Sequence, residues 1–71
     1  MHLVIFGRPG CPFCVRAVDL AKKLEASKGA TYTYIDMFDE NLTKADIAEK
    51  IGRPVQTVPQ ILIDDAYIGG F

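Results

Sequence analysis

The sequence predicts an α/β fold with one domain over residues 1–71, built on a four-stranded mixed sheet with flanking helices in the order β-α-β-α-β-β. Three observations lead to this prediction. The chain opens on a β-favouring apolar run, a helical stripe follows it, and two short apolar segments near the end are separated by a turn signal. Seventy-one residues hold one domain at most, and an apolar fraction of 49% is typical of a chain that folds.

The first strand is predicted at residues 3–6, where four apolar residues follow one another. Such a run is typical of a strand that is covered on both faces and is therefore central in its sheet. From residue 12 to about residue 28, the apolar residues fall on one side of a predicted helix, at Cys14, Ala17, Val18, Ala21 and Leu24. Gly29 is the expected end of this helix.

Residues 31–35 alternate and are rich in threonine and tyrosine, which predicts a second strand at the edge of the sheet. A strand, a helix and a strand in this order imply a parallel pair with a right-handed crossover. Thr43 is the expected N-cap of a second helix, with Asp46 in the capping-box position and Gly52 as the stop.

An antiparallel hairpin is predicted to complete the sheet. Residues 60–63 form its first strand, Asp64 and Asp65 make a tight turn, and residues 66–68 form the second strand. No internal repeat or linker interrupts this pattern.

The chemistry is expected at the pair Cys11 and Cys14, where the first strand gives way to the first helix. If Cys11 is the N-cap and Pro12 the first helical residue, the Cys11 sulfur faces free backbone N–H groups of the first turn. These donors, the helix dipole and the cation of Arg8 favour a thiolate. We therefore expect the pKa of Cys11 to lie below that of a free thiol and its sulfur to be open to solvent. Cys14, which points toward the core, is the expected resolving thiol.

Two other interpretations of the cysteine pair remain open. A plain stabilising disulfide is one, although a ring of four residues removes little chain entropy. Half of a zinc site is the other, but His2 is the only histidine, so four ligands would need a second chain. We therefore expect no metal, and we expect a catalytic pair, because a cysteine pair in a cytosolic protein is more often catalytic than structural.

Charge and hydropathy argue against several partners. A net charge of −1 and a pI near 5.6 indicate neither a nucleic-acid-binding surface nor an anionic-membrane surface. The opening apolar run has no basic leader and ends at Gly7, which is too short for a signal segment or a membrane span. The expected location is the cytoplasm.

Three motifs in order resemble the glutaredoxin family, in particular small dithiol bacterial glutaredoxins. They are Val4-Ile5-Phe6-Gly7-Arg8 before Cys11-Pro12-Phe13-Cys14, then Thr57-Val58-Pro59-Gln60, and then Ile68-Gly69-Gly70. The likeness covers essentially all 71 residues, and the predicted element order with Cys-X-X-Cys after the first strand is a thioredoxin-like pattern. Thioredoxins proper have a Trp-Cys-Gly-Pro-Cys site, whereas this chain has no tryptophan.

The resemblance implies a glutathione-dependent thiol–disulfide oxidoreductase with no tightly bound cofactor and with glutathione as co-substrate. The thiol matching Cys11 would attack a glutathionylated protein or a small disulfide and take up glutathione, which a second glutathione releases. The thiol matching Cys14 would be required only for reducing protein disulfides, for which ribonucleotide reductase is a typical family partner.

A glutathione site is expected around Val58. Because Val58 precedes Pro59, it is held extended, and its N–H and C=O can pair with the tripeptide as a short antiparallel ladder. The resemblance implies that the Val58–Pro59 bond is cis. The other expected contacts are cations for the carboxylates, an apolar wall and closely approachable backbone, supplied by Arg8, Arg53, Phe13, Thr57, Gly69 and Gly70. Structural roles are expected for His2, Tyr32, Tyr34 and Tyr67.

Family members continue after Gly-Gly with a Ser/Thr-Asp step and a final helix, and these 71 residues have neither. We therefore expect a C-terminally truncated or incomplete chain, weaker glutathione binding, and self-association through an apolar face left bare. Two rival functions remain open. One is a binding module in which two chains share an iron–sulfur cluster through Cys11 and glutathione, and the other is a redoxin reduced directly by thioredoxin reductase.

Overall fold

A computed structural model describes residues 1–70 of the chain. Its elements, in chain order, are β1 (His2–Gly7), α1 (Pro12–Lys28), β2 (Thr31–Asp36), α2 (Lys44–Ile51), β3 (Gln60–Ile63) and β4 (Ala66–Gly69). The predicted order β-α-β-α-β-β is confirmed. α1 and β3 have the predicted bounds, and the other three strands extend the prediction by one residue at one or both ends.

The four strands form one sheet in the order β2-β1-β3-β4. β1 runs parallel to β2 and antiparallel to β3, and β4 pairs antiparallel with β3. The predicted mixed sheet, with the first strand in the centre and the second at an edge, is confirmed. Since β1 is central, its C-terminal end delivers the chain to the cysteines from the middle of the sheet.

The two faces of the sheet bury two separate clusters, because successive side chains of a strand point to opposite faces. Leu3 and Ile5 of β1 pack against Ala17 and Ala21 of α1. Phe6 lies on the other face and packs in a cluster with Met37 and Ile47. The sheet is therefore a layer between α1 and α2, which fixes the N-terminal end of α1 relative to β1.

The caps of α2 and the turn between β3 and β4 are formed by residues that are close in the sequence. Thr43 and Asp46 form a capping box, in which the Asp46 N–H donates to the Thr43 hydroxyl at 3.1 Å and the Thr43 N–H donates to the Asp46 carboxylate at 2.8 Å. Gly52 follows α2 in the left-handed conformation, with a φ of 78°. Asp64 and Asp65, with φ values of 48° and 68°, make the turn between β3 and β4, and two positive φ values are typical of a tight hairpin.

The departure expected at Phe71 lies outside the described residues. Within residues 1–70, every helix is too short or too polar to span a membrane.

Candidate active site

Cys11 and Cys14 form a disulfide at the N-terminal end of α1, with their Cα atoms 5.2 Å apart. Cys11 is the N-cap in an extended conformation, and its sulfur accepts a hydrogen bond from the Cys14 N–H at 3.2 Å. Pro12 occupies the first helical position, where a missing N–H leaves no bond unmade. The predicted cap is confirmed, so the pair sits at the positive end of the helix dipole, which favours an anionic sulfur.

The expectation that the Cys11 sulfur is open to solvent is wrong for this oxidised form. Cys11 is 6% exposed and Cys14 is 2% exposed. The disulfide turns the Cys11 sulfur toward Cys14, and the carbonyl oxygen of Val58 lies 3.8 Å from it. This approach is a contact and not a hydrogen bond, because a disulfide sulfur carries no proton. The neighbouring Pro12 and Phe13 are exposed, so the disulfide lies just beneath the surface.

The carbonyl beside the Cys11 sulfur belongs to the segment Thr57, Val58 and Pro59, where the glutathione site is expected. The Val58–Pro59 bond is cis, as the resemblance implies. Thr57 is exposed, Val58 half-buried and Pro59 buried. A Cβ atom added to Gly70 would lie 3.1 Å from the Pro59 carbonyl oxygen, so the end of the hairpin packs closely on this segment. Gly69, with a φ of 115°, adopts a backbone conformation that favours glycine.

Arg53 and Arg8, the two expected cations, lie in different places. The Arg53 guanidinium stacks on the ring of Tyr67, 4.6 Å from its centroid, and therefore lies on the hairpin side of the disulfide. Arg8 lines a groove of about 410 Å³ on the side of β2, together with Cys14 and Tyr34. The two cations are thus associated with opposite edge strands of the sheet, Arg8 with β2 and Arg53 with β4.

Phe13 is exposed beside the cysteines, as expected for an apolar wall. The Arg16 guanidinium lies 5.4 Å from the centroid of its ring, on the outer side of α1. The ring therefore borders the disulfide and does not enter either buried cluster.

Sequence reasoning did not predict the hydrogen bonds of Gln60, and it gave Tyr67 only a structural role. Gln60 is 5% exposed, its side-chain N–H donates to the Thr57 carbonyl at 2.7 Å, and its amide oxygen accepts from the Tyr67 hydroxyl at 2.6 Å. One signal was present in the sequence, since Gln60 is a polar residue at the start of the apolar run 60–63. A buried polar side chain requires partners, but the sequence does not say which.

Two cysteines one helical turn apart at a helix N-terminus can exchange a disulfide for two thiols by taking up two electrons and two protons. Within the described part of the chain, residues 1–70, the His, Cys, Asp and Glu side chains form no group of three or more that could hold a metal ion. The α/β sheet with this pair at the end of its central strand defines a thiol–disulfide oxidoreductase of thioredoxin-like fold.

Comparison with known proteins gives the particular family. The Glutaredoxin family profile matches residues 3–68. The chain is 55% identical to Glutaredoxin 1 of Salmonella typhimurium over 71 residues, which cover 99% of this chain and 82% of that protein. It is also 55% identical to a Glutaredoxin of Vibrio cholerae, with the same coverage.

The fold agrees with solved structures. Oxidised Escherichia coli glutaredoxin superposes with a TM-score of 0.86 at 53% identity, over 100% of this chain and 85% of that one. Reduced E. coli glutaredoxin superposes with a TM-score of 0.84 at 54% identity, over 99% of this chain and 84% of that one. The chain belongs to the glutaredoxin family, whose members are glutathione-dependent thiol–disulfide oxidoreductases, and the predicted enzyme class is confirmed.

Proposed function

We propose that Cys11 is the attacking thiol of this oxidoreductase and that Cys14 resolves the mixed disulfide. The observation that carries this assignment is the Cys14 N–H, which donates to the Cys11 sulfur at 3.2 Å. In the reduced chain, the same donor and the positive end of α1 would stabilise an anionic sulfur at position 11. Cys11 caps α1, whereas Cys14 lies inside its first turn, so a bulky disulfide reaches Cys11 first.

Two reactions follow from these roles. In the first, the Cys11 thiolate attacks the glutathione sulfur of a glutathionylated protein, the protein leaves as a thiol, and Cys11 carries glutathione. A second glutathione then attacks that glutathione sulfur, so that oxidised glutathione leaves and the Cys11 thiolate returns. In the second reaction, Cys11 attacks a protein disulfide, and Cys14 then attacks the Cys11 sulfur, which releases the protein thiol and forms the Cys11–Cys14 disulfide. Two glutathione molecules reduce that disulfide.

Glutathione would lie along Val58. Within residues 1–70, the Val58 N–H makes no backbone hydrogen bond, and the Val58 carbonyl lies 3.8 Å from the Cys11 sulfur. An extended tripeptide whose cysteine sulfur is bonded to Cys11 can therefore pair with both backbone groups as a short antiparallel ladder. Thr57 and Pro59 flank this backbone on either side. A side chain at position 70 would crowd this backbone, because a Cβ atom added to Gly70 would lie 3.1 Å from the Pro59 carbonyl oxygen.

The carboxylates of glutathione would bind cations. Arg8 is exposed and follows β1 directly, which makes it our candidate for the glycine carboxylate. Arg53 is the second candidate, since stacking on Tyr67 restricts its guanidinium while leaving N–H groups for a carboxylate. Phe13 would supply an apolar wall next to the sulfur, and Gly69 would let the ligand approach the backbone closely.

A glutathione-coupled assay on a glutathionylated peptide and on a protein disulfide tests the cysteine roles. Cys11→Ser should abolish turnover of both substrates, because the one remaining thiol, Cys14, is buried inside the first turn of α1 and cannot begin either reaction. Cys14→Ser should keep turnover of the glutathionylated peptide and lose reduction of the protein disulfide. Activity retained by Cys11→Ser would overturn the assignment.

The cation roles are tested in the same assay. Arg8→Met and Arg53→Met should each raise KM for the glutathionylated peptide by about two- to fivefold, as expected for exposed ion pairs. Lys23→Met is the matched control, because Lys23 is an exposed cation on α1 at a distance of three helical turns from Cys11. A rise in KM for the control equal to that of the arginine variants would show a general charge effect.

The protein substrates, the cellular location and the self-association of the chain are also proposals. The chain would act as a single domain in the cytoplasm, with glutathionylated proteins and disulfides such as that of ribonucleotide reductase as substrates. Leu20 of α1 and Ile68 of β4 are 42% and 57% exposed, and a second copy of this chain could cover them. Sedimentation of a stable monomer at 7.8 kDa would rule out the self-association.

A further inference from the structure

A chain of polar contacts runs from the hairpin to the segment that covers the Cys11 sulfur. The Tyr67 hydroxyl donates to the Gln60 amide oxygen at 2.6 Å, and the Gln60 amide N–H donates to the Thr57 carbonyl at 2.7 Å. Thr57 directly precedes Val58, whose carbonyl lies 3.8 Å from the Cys11 sulfur. We call the pair Gln60 and Tyr67 the Gln60–Tyr67 brace. It is linked to the reacting sulfur through Thr57, which it bonds, and Val58, which contacts that sulfur.

We propose that the Gln60–Tyr67 brace positions the Val58 backbone for glutathione. The inference rests on the proposed function, in which Val58 pairs with the tripeptide. Thr57 and Val58 belong to neither a helix nor a strand, so the β-ladders do not hold their peptide groups in place. A ligand that binds a mobile backbone must also order it, and this lowers affinity. By holding the Thr57 carbonyl, Gln60 reduces the ordering that binding still requires.

The burial of Gln60 supports a role beyond stability. Gln60 opens β3, pairs with Phe6 of the central strand and is 5% exposed, a position where an apolar residue would continue the run 61–63. A buried amide is costly unless both of its ends are bonded, and an apolar side chain of similar volume is often tolerated there. Both ends are bonded in this structure, one to a backbone atom of the proposed glutathione site.

Tyr67 contributes through its hydroxyl and its ring separately. The hydroxyl orients the Gln60 amide, and the ring carries the Arg53 guanidinium at 4.6 Å. Tyr67→Phe removes the first contact and keeps the second. This variant therefore isolates the brace from any contribution of Arg53 to carboxylate binding.

Four variants test the proposal with a glutathionylated peptide as substrate: Gln60→Met, Tyr67→Phe, the two combined, and Ser27→Ala, which removes a hydroxyl hydrogen bond to the Lys23 carbonyl at the far end of α1, as the control. Gln60→Met should raise KM by about three- to tenfold, the equivalent of one lost hydrogen bond, with kcat changed by less than about twofold. Tyr67→Phe should raise KM by a smaller factor. The combined variant should be no worse than Gln60→Met, because both substitutions remove the same support, and Ser27→Ala should match the unsubstituted chain.

Two further measurements separate positioning from other roles. The rate at which iodoacetamide alkylates Cys11 should be the same in all variants, because this small reagent needs no backbone ladder. Hydrogen exchange of the Val58 amide should be at least about threefold faster in Gln60→Met, as expected when a local restraint is lost.

Three results would overturn the brace: an unchanged KM in folded Gln60→Met, KM effects that multiply in the combined variant, or alkylation that slows as much as turnover. Failure of the unsubstituted chain to turn over the peptide would refute the proposed function instead. In that case, the Val58 exchange rate still decides whether Gln60 restrains the segment, and an unchanged rate would refute the brace as well.

Discussion

Gly7, the last residue of β1, lies against the phenol of Tyr34 on the neighbouring strand β2. A Cβ atom added to Gly7 would lie 2.5 Å from the Tyr34 hydroxyl oxygen, 2.9 Å from Cε1 and 3.0 Å from Cζ. Real Cβ atoms do not approach other atoms so closely, so Gly7→Ala must displace the ring or the strand end. The backbone of Gly7 is not in the left-handed region, so alanine meets no backbone strain there.

Two terms of opposite sign determine the effect of Gly7→Ala. Overpacking of this kind destabilises by about 1–3 kcal/mol. Replacing glycine reduces the entropy of the unfolded chain and stabilises by about 0.4–1 kcal/mol. Overpacking dominates, because Tyr34 is a rigid ring that packs against the α1 cluster, and the net loss should be about 1–2 kcal/mol. For a domain of this size, Tm should then fall by about 5–15 °C.

Urea denaturation of Gly7→Ala, Tyr34→Leu and the combined variant measures this clash directly. Tyr34→Leu removes the three crowded atoms, so in its background Gly7→Ala should be neutral or slightly stabilising. The pKa of the Tyr34 phenol is raised, mainly by burial and secondly by the negative charge of Asp36. The ring is therefore uncharged at neutral pH, and the test reports on packing. A Gly7→Ala variant as stable as the unsubstituted chain, or one that Tyr34→Leu does not rescue, would refute the reasoning.

Three further results are expected. Thr43→Ala should reduce the free energy of unfolding by about 1 kcal/mol, because it removes the side-chain acceptor at the start of α2, and an unchanged urea midpoint would contradict this. The Thr43 backbone N–H, and then the Thr43 hydroxyl, hold the pKa of Asp46 below its ordinary value of 3.8. The resulting stabilisation is present above about pH 4 and is lost as the pH falls through the lowered pKa, so acid unfolding curves of the unsubstituted chain and Asp46→Asn should converge below that pH. Gly69→Ala should destabilise by about 1–3 kcal/mol, since a φ of 115° strains any residue with a Cβ, and thermal melting at an unchanged Tm would show that the backbone relaxes instead.

Much of the fold could be predicted because its signals are local. The apolar run before Gly7 indicated the central strand, and Pro12 after Cys11 indicated the start of α1. The capping box of Thr43 and Asp46 is contained within four residues. Each of these signals depends on backbone geometry and side chains of neighbouring residues, so the sequence carries it without knowledge of the rest of the chain.

The candidate site was predicted only in part. The cysteine pair was placed correctly, since its spacing alone puts both sulfurs on one helical turn. The burial of Cys14 was predicted correctly, but that of Cys11 was predicted wrongly, because the Val58 carbonyl that covers Cys11 comes from 47 residues further along the chain. The separation of Arg8 from Arg53 likewise depends on strand order, with Arg8 beside β2 and Arg53 stacked on β4.

By itself, the sequence determined the order of the elements, their capping and the type of chemistry that two cysteines at a helix start can perform. Only the tertiary structure decided which backbone covers the reactive sulfur and which side chains support that backbone. Gln60 illustrates the physical reason. Its polarity in an apolar run signals that it needs partners, but the pairing of β3 with β4 is what brings the Tyr67 hydroxyl within 2.6 Å of it.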